Sequence, residues 1–516
     1  MSASNEENIQ HNSIDPKTAR EAQQRKAEKR SNALYATIAV VFVLVAAAAI
    51  IWRSNIIPRT VTAVNVNGEK YTAAELNFYY QNAYQNFLNT YSDMLSYVGL
   101  NPNKPLESQN ISDETAELMG LEKGGTWHDF FMDQALTQIA TVQAVLEEAE
   151  TNGFTYPASV QTQYDDSMAA LEETAKASGV SAQKYIQTNL GAVMTEKIYG
   201  QQIMRMLQYG AYVDAVEQGM TYTSDELEAA YAKAPNNYDL VSCEIVSISG
   251  AAESTTDADG KTVPPTDEEK EAAKAAAKKA ADEMLAAYRS GKDLKALAEA
   301  NEKASYHERD DAAYSGDAVT EWLFDDARKA GDSAVVESGG STYYVVVYYD
   351  RFRDEYDTIN VRHILIAPEM PELSKEDEGY EDEVAKLKAE AVTKAEDLLA
   401  EWKAGEATED SFAALAMEHS ADGSKYDGGL YTQVYEGQMV PAFNDWCFDD
   451  SRKAGDTDVV ETNYGAHVMY FSGKDLPRWE TLVTSDLRTE DLNAWFQEMS
   501  TKYTAEQSSF GVRFVG

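Results

Sequence analysis

The chain has 516 residues, enough for about three domains of ordinary size, and 44% of them are hydrophobic, which supports several buried cores. With 87 acidic against 44 basic residues the net charge is −43, a field that repels phosphate backbones and excludes nucleic acid as a partner. Two cysteines, Cys243 and Cys447, with no CxxC pattern, exclude a disulfide framework and a cysteine zinc site.

Residues 33–52 (ALYATIAVVFVLVAAAAIIW) carry no charge. As a helix this stretch is about 30 Å long and crosses a bilayer core. Lys17, Arg20, Arg25, Lys26, Lys29 and Arg30 precede it, and only Arg53 and Arg59 follow closely. The positive-inside rule then places residues 1–32 in the cytoplasm and the rest of the chain outside, single-pass in the cell membrane. A cleaved signal peptide is the rival reading, with an A-x-A site within Ala46–Ala49. Ile50, Ile51 and Trp52 continue the apolar run past that site and the n-region is long, so an uncleaved anchor is expected.

Residues 60–235 read as a mostly helical module. Val61–Val66, an Asn67-Gly68 turn and Thr72-Ala-Ala-Glu75 predict a short strand, a tight turn and a capping box opening a helix. That helix carries Leu76, Tyr79, Tyr80, Ala83, Tyr84 and Phe87 at helical spacing. Capping boxes also stand at Thr126-Trp-His-Asp129, before Phe130, Phe131, Leu136, Ile139 and Val142, and at Thr223-Ser-Asp-Glu226.

The rest holds an internal repeat. WLFDDARKAGD, from Trp322 to Asp332, recurs as WCFDDSRKAGD, from Trp446 to Asp456, with nine of eleven residues identical. The flanks match: Asp239–Ile248 with Asp357–Ile366, Leu294–Ala298 with Phe412–Ala416, and Val335-Val-Glu with Val459-Val-Glu. Each copy therefore reads strand, long helix, short helix, loop, helix, two strands, giving sister domains over 236–352 and 355–476. The copies differ in the loop, where Ala298 to Trp322 spans 24 positions and Ala416 to Trp446 spans 30. They differ also in two histidines: aligned by eye, His363 faces Glu244 and His467 faces Tyr343. One working copy and one scaffold copy are expected.

The motifs Val361-Arg-His-Ile-Leu-Ile366, Phe412–Ala416, Ser420-Ala-Asp-Gly-Ser424, Gly428-Gly429, Gly437-Gln-Met-Val-Pro-Ala-Phe443 and Tyr464-Gly-Ala-His467 resemble, in order and spacing, a parvulin-type peptidyl-prolyl isomerase over Asp357–Gly473. The whole layout resembles exported foldases of the PrsA and SurA type. The resemblance implies an α+β protein: a transmembrane helix, a helical chaperone-like module, two parvulin-like domains with antiparallel sheets and surrounding helices, and a helical C-terminal segment. That segment, residues 477–516, would pack on the chaperone module through Leu482, Leu487, Leu492, Trp495 and Phe496.

The residue types suit the reaction. Rotation about an amide meets a barrier of roughly 18–20 kcal/mol, and no covalent bond need be made. A catalyst needs an apolar recess for the proline ring and polar groups that favour the twisted amide. By the resemblance, His363 and His467 hydrogen-bond each other beneath the substrate, Asp422 joins that polar cluster, and Thr462 supplies the hydroxyl beside the second histidine. Met439 and Phe443, four apart on an expected helix, would line the recess with Val440, Gln438 and Leu430. Asp422, preceding Gly423, reads equally as a turn residue.

One departure stands out. Parvulins commonly read GGDLG after the loop, whereas this chain reads Gly428-Gly429-Leu430-Tyr431. Lys425 stands alone near the loop, so a preference for phosphorylated substrates is not expected. The Asp325-Asp326 and Asp449-Asp450 pairs read as structural, because the pair survives in the copy without histidines. No metal and no cofactor is expected. The expected function is a membrane-anchored extracytoplasmic isomerase and chaperone acting on unfolded or partly folded exported chains with X-Pro bonds, with a homodimer admissible. The alternative is a holdase or assembly scaffold with two idle parvulin-like domains.

Overall fold

A computed structural model describes residues 37–46, 49, 54–257 and 260–516. The expected cytoplasmic tail and much of the expected membrane span lie outside the described residues. Residues 37–46 are helical, and among the described residues no helix is long and apolar enough to cross a membrane. The protein is mixed α/β and divides into two compact units, residues 1–213 with 496–516, and residues 214–495.

In the first unit the strands Thr62–Val66 and Glu69–Thr72 form an antiparallel hairpin. Its turn residues Asn67 and Gly68 take φ of 50° and 92°, the left-handed conformations that a two-residue hairpin turn of this kind requires. Thr72 then starts the helix Ala73–Thr90 with a reciprocal capping box to Glu75, and Thr126 does the same with Asp129 for the helix Trp127–Thr151. Leu76, Tyr79, Tyr80 and Phe87 from one helix bury against Trp127, Phe131, Leu136 and Ile139 from the other. The end of the chain closes this unit. Strand Ala505–Gln507 pairs with Thr62–Val66, and Val515 joins the same core.

The second unit contains the two repeats, each a four-stranded antiparallel sheet with the same strand order. In the first domain the order is Ala304–Ala313, Asp239–Ser249, Thr342–Arg353, Ser333–Ser338. In the second it is Leu430–Val434, Asp357–Ile366, Gly465–Pro477, Thr457–Thr462. The edge strands Ala304–Ala313 and Leu430–Val434 fall where the sequence predicts only loop. The long helix Tyr380–Ala404 lays Ala395, Leu398, Leu399 and Trp402 on Ile364 and Val468. Asp267–Arg289 does the same in the first domain with Ala281, Met284 and Leu285 on Val246 and Val345.

The conserved eleven-residue stretch of the repeat builds a turn. Arg452 lies over the Trp446 ring at 4.0 Å, and Arg328 over Trp322 at 4.5 Å. Asp449 and Asp325 accept backbone N–H bonds from Ser451 and Ala327. Gly455 and Gly331 take φ of 92° and 86° and donate to the carbonyls of Phe471 and Tyr348.

Three expectations need correction. Leu482 and Leu487 of the C-terminal segment pack with Leu227, Tyr238, Trp479 and Val483 in the second unit rather than on the first, to which only residues 496–516 of that segment belong. The capping-box helix Ser224–Tyr231 belongs with the second unit rather than the helical module, because Leu227 and Tyr231 pack with Tyr238, Trp479 and Val483. The alignment by eye is also one residue out at both histidines. His363 lies opposite Met469, and Ile364 opposite Val468; in the first domain Ile245 lies opposite Val346, and Val246 opposite Val345. Val460 opposes His467 as Val336 opposes Tyr344. His363 therefore corresponds to Ile245, and His467 to Tyr344. Neighbouring strand residues face opposite sides of a sheet, so the register, not strand similarity, decides the match.

Candidate active site

The two histidines reach one place because their strands are neighbours at the centre of the second sheet. His363 and His467 are buried, at 2% and 5% exposure, and their Nδ1 atoms are 3.1 Å apart. The rings stack at 5.2 Å and 28°, and Phe443 meets both edge-on at 5.5 Å.

The added length of the second copy places the next group. Ser420, buried after the helix Glu409–His419, accepts hydrogen bonds from the Leu365 and Asp422 backbone N–H groups. This ties the loop to the strand of His363. Asp422 then caps the 3-10 turn Gly423–Asp427 by accepting from Ser424 N–H at 2.8 Å. Its Oδ1 also accepts from Ser424 Oγ–H and, at 3.1 Å, from Tyr431 O–H. His363 Nε2 lies 3.2 Å from Ser424 Oγ and 3.3 Å from Asp422 Oδ1. Asp422 is thus both the turn residue and a member of the polar cluster.

This pattern fixes the direction of the hydrogen bonds at Asp422. An oxygen facing this many donors is a carboxylate, and the His363 hydrogen bond together with those from Ser424 holds its carboxyl well below the usual range. Ser424 uses its proton on Asp422, so His363 Nε2 must donate. One proton lies between the Nδ1 atoms of His363 and His467. The Nε2 of His467 is hydrogen-bonded to Thr462 Oγ1 at 2.8 Å, and Thr462 Oγ1 accepts from the Tyr464 N–H at 3.1 Å. Burial, with His363 adjacent, pushes His467 down to about 4.

Of the apolar residues expected here, Phe443 is buried, and Met439 and Val440 pack half-buried in the same cluster. The helix begins only at Pro441, with Val440 as its N-cap, so Met439 precedes the helix rather than sharing a face of it with Phe443. Gln438 is exposed and its side-chain oxygen accepts from Tyr435 N–H at 3.1 Å. Leu430 is on the wrong face. It lies opposite Arg362, whose side chain reaches Glu409 and the loop carbonyls of Asp427 and Gly428. Its neighbour Tyr431 takes the histidine face instead, stacked on His363 at 5.2 Å and 22°. Sequence reasoning missed Tyr431 and Ser424, although Ser424 closes the Ser420–Ser424 motif and Tyr431 is the visible departure from GGDLG.

Two glycines make this approach possible. Gly428 and Gly429 take φ of 66° and 75°. A Cβ on Gly429 would stand 2.2 Å from the His363 carbonyl oxygen, and one on Gly428 2.5 Å from Ala413 Cβ.

Residues 343–475 match the family described as the PPIC-type PPIASE domain, and this part of the chain is a parvulin-type peptidyl-prolyl isomerase domain. The chain is 31% identical over 128 residues to the foldase protein PrsA of Caldanaerobacter subterraneus subsp. tengcongensis, a match covering 24% of this chain and 32% of that protein. The matched part thus spans about a third of that relative's length. Among solved structures, PrsA of Bacillus anthracis is 20% identical, with 29% of this chain and 59% of that chain covered and a TM-score of 0.18. PrsA of Bacillus subtilis is 15% identical, with 77% and 92% covered and a TM-score of 0.24.

Proposed function

We propose that this chain is a membrane-anchored foldase: its second α/β domain isomerises X-Pro bonds in exported, unfolded polypeptides, and its helical module holds those polypeptides. The single observation carrying the catalytic part is the continuous bond chain from Tyr464 N–H through Thr462, His467 and His363 to the Asp422 carboxylate, set beside Phe443 and Met439. The apolar side chains offer the proline ring a dry surface. The fixed dipoles beneath it stand ready for the changed hydrogen-bonding demand of an amide that has lost resonance. No proton need move and no covalent intermediate is required. The apolar, uncharged stretch 33–52 and its basic N-terminal flank support the anchor and the outward placement of the acidic bulk.

The first domain lacks this chemistry. Ile245 and Tyr344 replace the histidines, and the short helix Leu294–Glu299 is followed by the strand Ala304–Ala313 with no counterpart of the turn bearing Asp422 and Ser424. It is read as a scaffold copy. The test is exchange NMR on a short Ala-Pro peptide with the full-length chain. Accelerated exchange, greatly reduced by His467→Ala, is expected. No acceleration across several residues preceding proline would overturn the isomerase reading in favour of a holdase.

A further inference from the structure

Strand alternation sends Tyr431, which pairs with Val361, to the side of the sheet that carries His363. There its ring lies parallel to the His363 imidazole, and its hydroxyl donates to Asp422 Oδ1 at 3.1 Å. His363 is consequently enclosed, with Tyr431 and His467 each stacked on it and the edge of Phe443 alongside. Its imidazole cannot turn about the Cβ–Cγ bond unless one of these rings moves. Tyr431 is itself held in place, because the backbone just before it is pressed onto the His363 strand through Gly429, whose carbonyl accepts from His363 N–H at 2.9 Å.

We infer that Tyr431 is a positioning residue of the isomerase site, its hydroxyl aiming the Asp422 carboxylate at His363 and its ring fixing the plane of that imidazole. The inference rests on the isomerase reading above and adds to it a residue that, counted from Gly428, occupies the place of the leucine in the GGDLG pattern. Tyr431 acts through its neighbours. Asp422 Oδ1 collects bonds from Ser424 on one side and Tyr431 on the other, and only with both does the carboxylate stay turned toward His363 Nε2. That carboxylate holds the proton on His363 Nε2, so a loosened Asp422 releases the proton arrangement of His363 and, through the Nδ1–Nδ1 bond, disturbs that of His467.

The experiment compares the wild-type chain with Tyr431→Phe, which keeps the ring, and Tyr431→Ala, which removes both functions. Exchange NMR at several peptide concentrations separates kcat from KM, and nitrogen-15 spectra of the histidine side chains report the tautomer. Tyr431→Phe is expected to lower kcat about tenfold with KM little changed, and to shift the His363 ring resonances while the melting temperature barely moves. Tyr431→Ala should lower kcat further and broaden those resonances. Wild-type kcat in Tyr431→Phe, or unchanged ring resonances, would overturn the assignment. If the wild-type chain itself shows no isomerase activity, it is the isomerase reading that fails. The ring spectra then still decide whether Tyr431 sets the state of His363.

Discussion

Ile245 in the first α/β domain occupies the sheet position that His363 occupies in the second. Each sits on the strand next to the central long strand, opposite Val346 and Met469 respectively. The exchange of an imidazole for a sec-butyl group is compatible with the same packing, and Tyr344 stands in the place of His467 next to Val336. What the first domain cannot match by point substitution is the 3-10 turn with its carboxylate. The double substitution Ile245→His, Tyr344→His, made in a His467→Ala background, is therefore expected to leave the chain without isomerase activity in exchange NMR. Activity in that protein would mean that the paired histidines suffice without Asp422 and Ser424.

Gly429 tests how much the site depends on backbone approach. Alanine there meets the His363 carbonyl oxygen at 2.2 Å and also adopts φ of 75°, a conformation that costs an L-residue on the order of 1 kcal/mol before any clash. Overpacking adds roughly 1–3 kcal/mol. Gly429→Ala should lower the denaturation midpoint of the second unit by an amount equivalent to about 2–4 kcal/mol and suppress isomerase activity. Gly423→Ala, whose Cβ would meet nothing within 4 Å, is the matched control and should leave both unchanged. Urea titration followed by tryptophan fluorescence reads the first effect and exchange NMR the second.

How far the sequence made this legible depends on the kind of signal. The capping boxes at Thr72 and Thr126 and the Asn67-Gly68 turn are local, each set by two to four residues, and the structure has them where they are read. The edge strand Ala304–Ala313 was not legible. Its run of His307, Glu308, Arg309, Asp310 and Asp311 is exposed on both sides, so no apolar alternation marks it. The pairing of Asp239–Ile248 with Asp357–Ile366 already sets Ile245 against His363, and reading Glu244 there slips from it by one position; the strand register settles the match. Leu430 and Tyr431 exchanged places because a half-strand of five residues with a register irregularity after Tyr431 carries too little periodicity to fix which side faces the histidines.

The neutral His467 makes stability depend on pH. Its folded-state value, pushed down to about 4 by burial, lies below the ordinary histidine value near 6.5. The unfolded chain takes up a proton as pH falls through 6.5, while the folded chain does so only near 4. The contribution of His467 is thus fully present above about pH 6.5 and is lost as the pH falls toward 4, amounting to at most about 3 kcal/mol. The Asp422 carboxylate contributes in a lower window, fully present above the usual carboxylate range and lost below it. Stability of the second unit, measured by urea titration from pH 8 to 4, should decline below 6.5 with a slope of up to about 1.4 kcal/mol per pH unit from this group. His467→Asn should flatten that segment, and an unchanged slope in the variant would assign the dependence to other groups.

The last twelve residues bear on the first unit rather than on the isomerase domain. Strand Ala505–Gln507 covers one edge of Thr62–Val66, the residues after it turn so tightly against that strand that a Cβ on Gly511 would stand 2.2 Å from the Thr62 carbonyl, and Val515 fills the core beside the aromatic helices. Removing them leaves an unpaired strand edge and exposes part of that core. A chain ending at Thr504 should therefore show a markedly lower melting temperature for the first unit and a tendency to associate, while its isomerase activity on a short peptide is retained. Gly511→Val is the point version and should reproduce the lower melting temperature. Differential scanning calorimetry with light scattering separates the two units. A truncated chain that melts as the full chain does would mean that the hairpin and its two capped helices hold the first unit without the C-terminal strand.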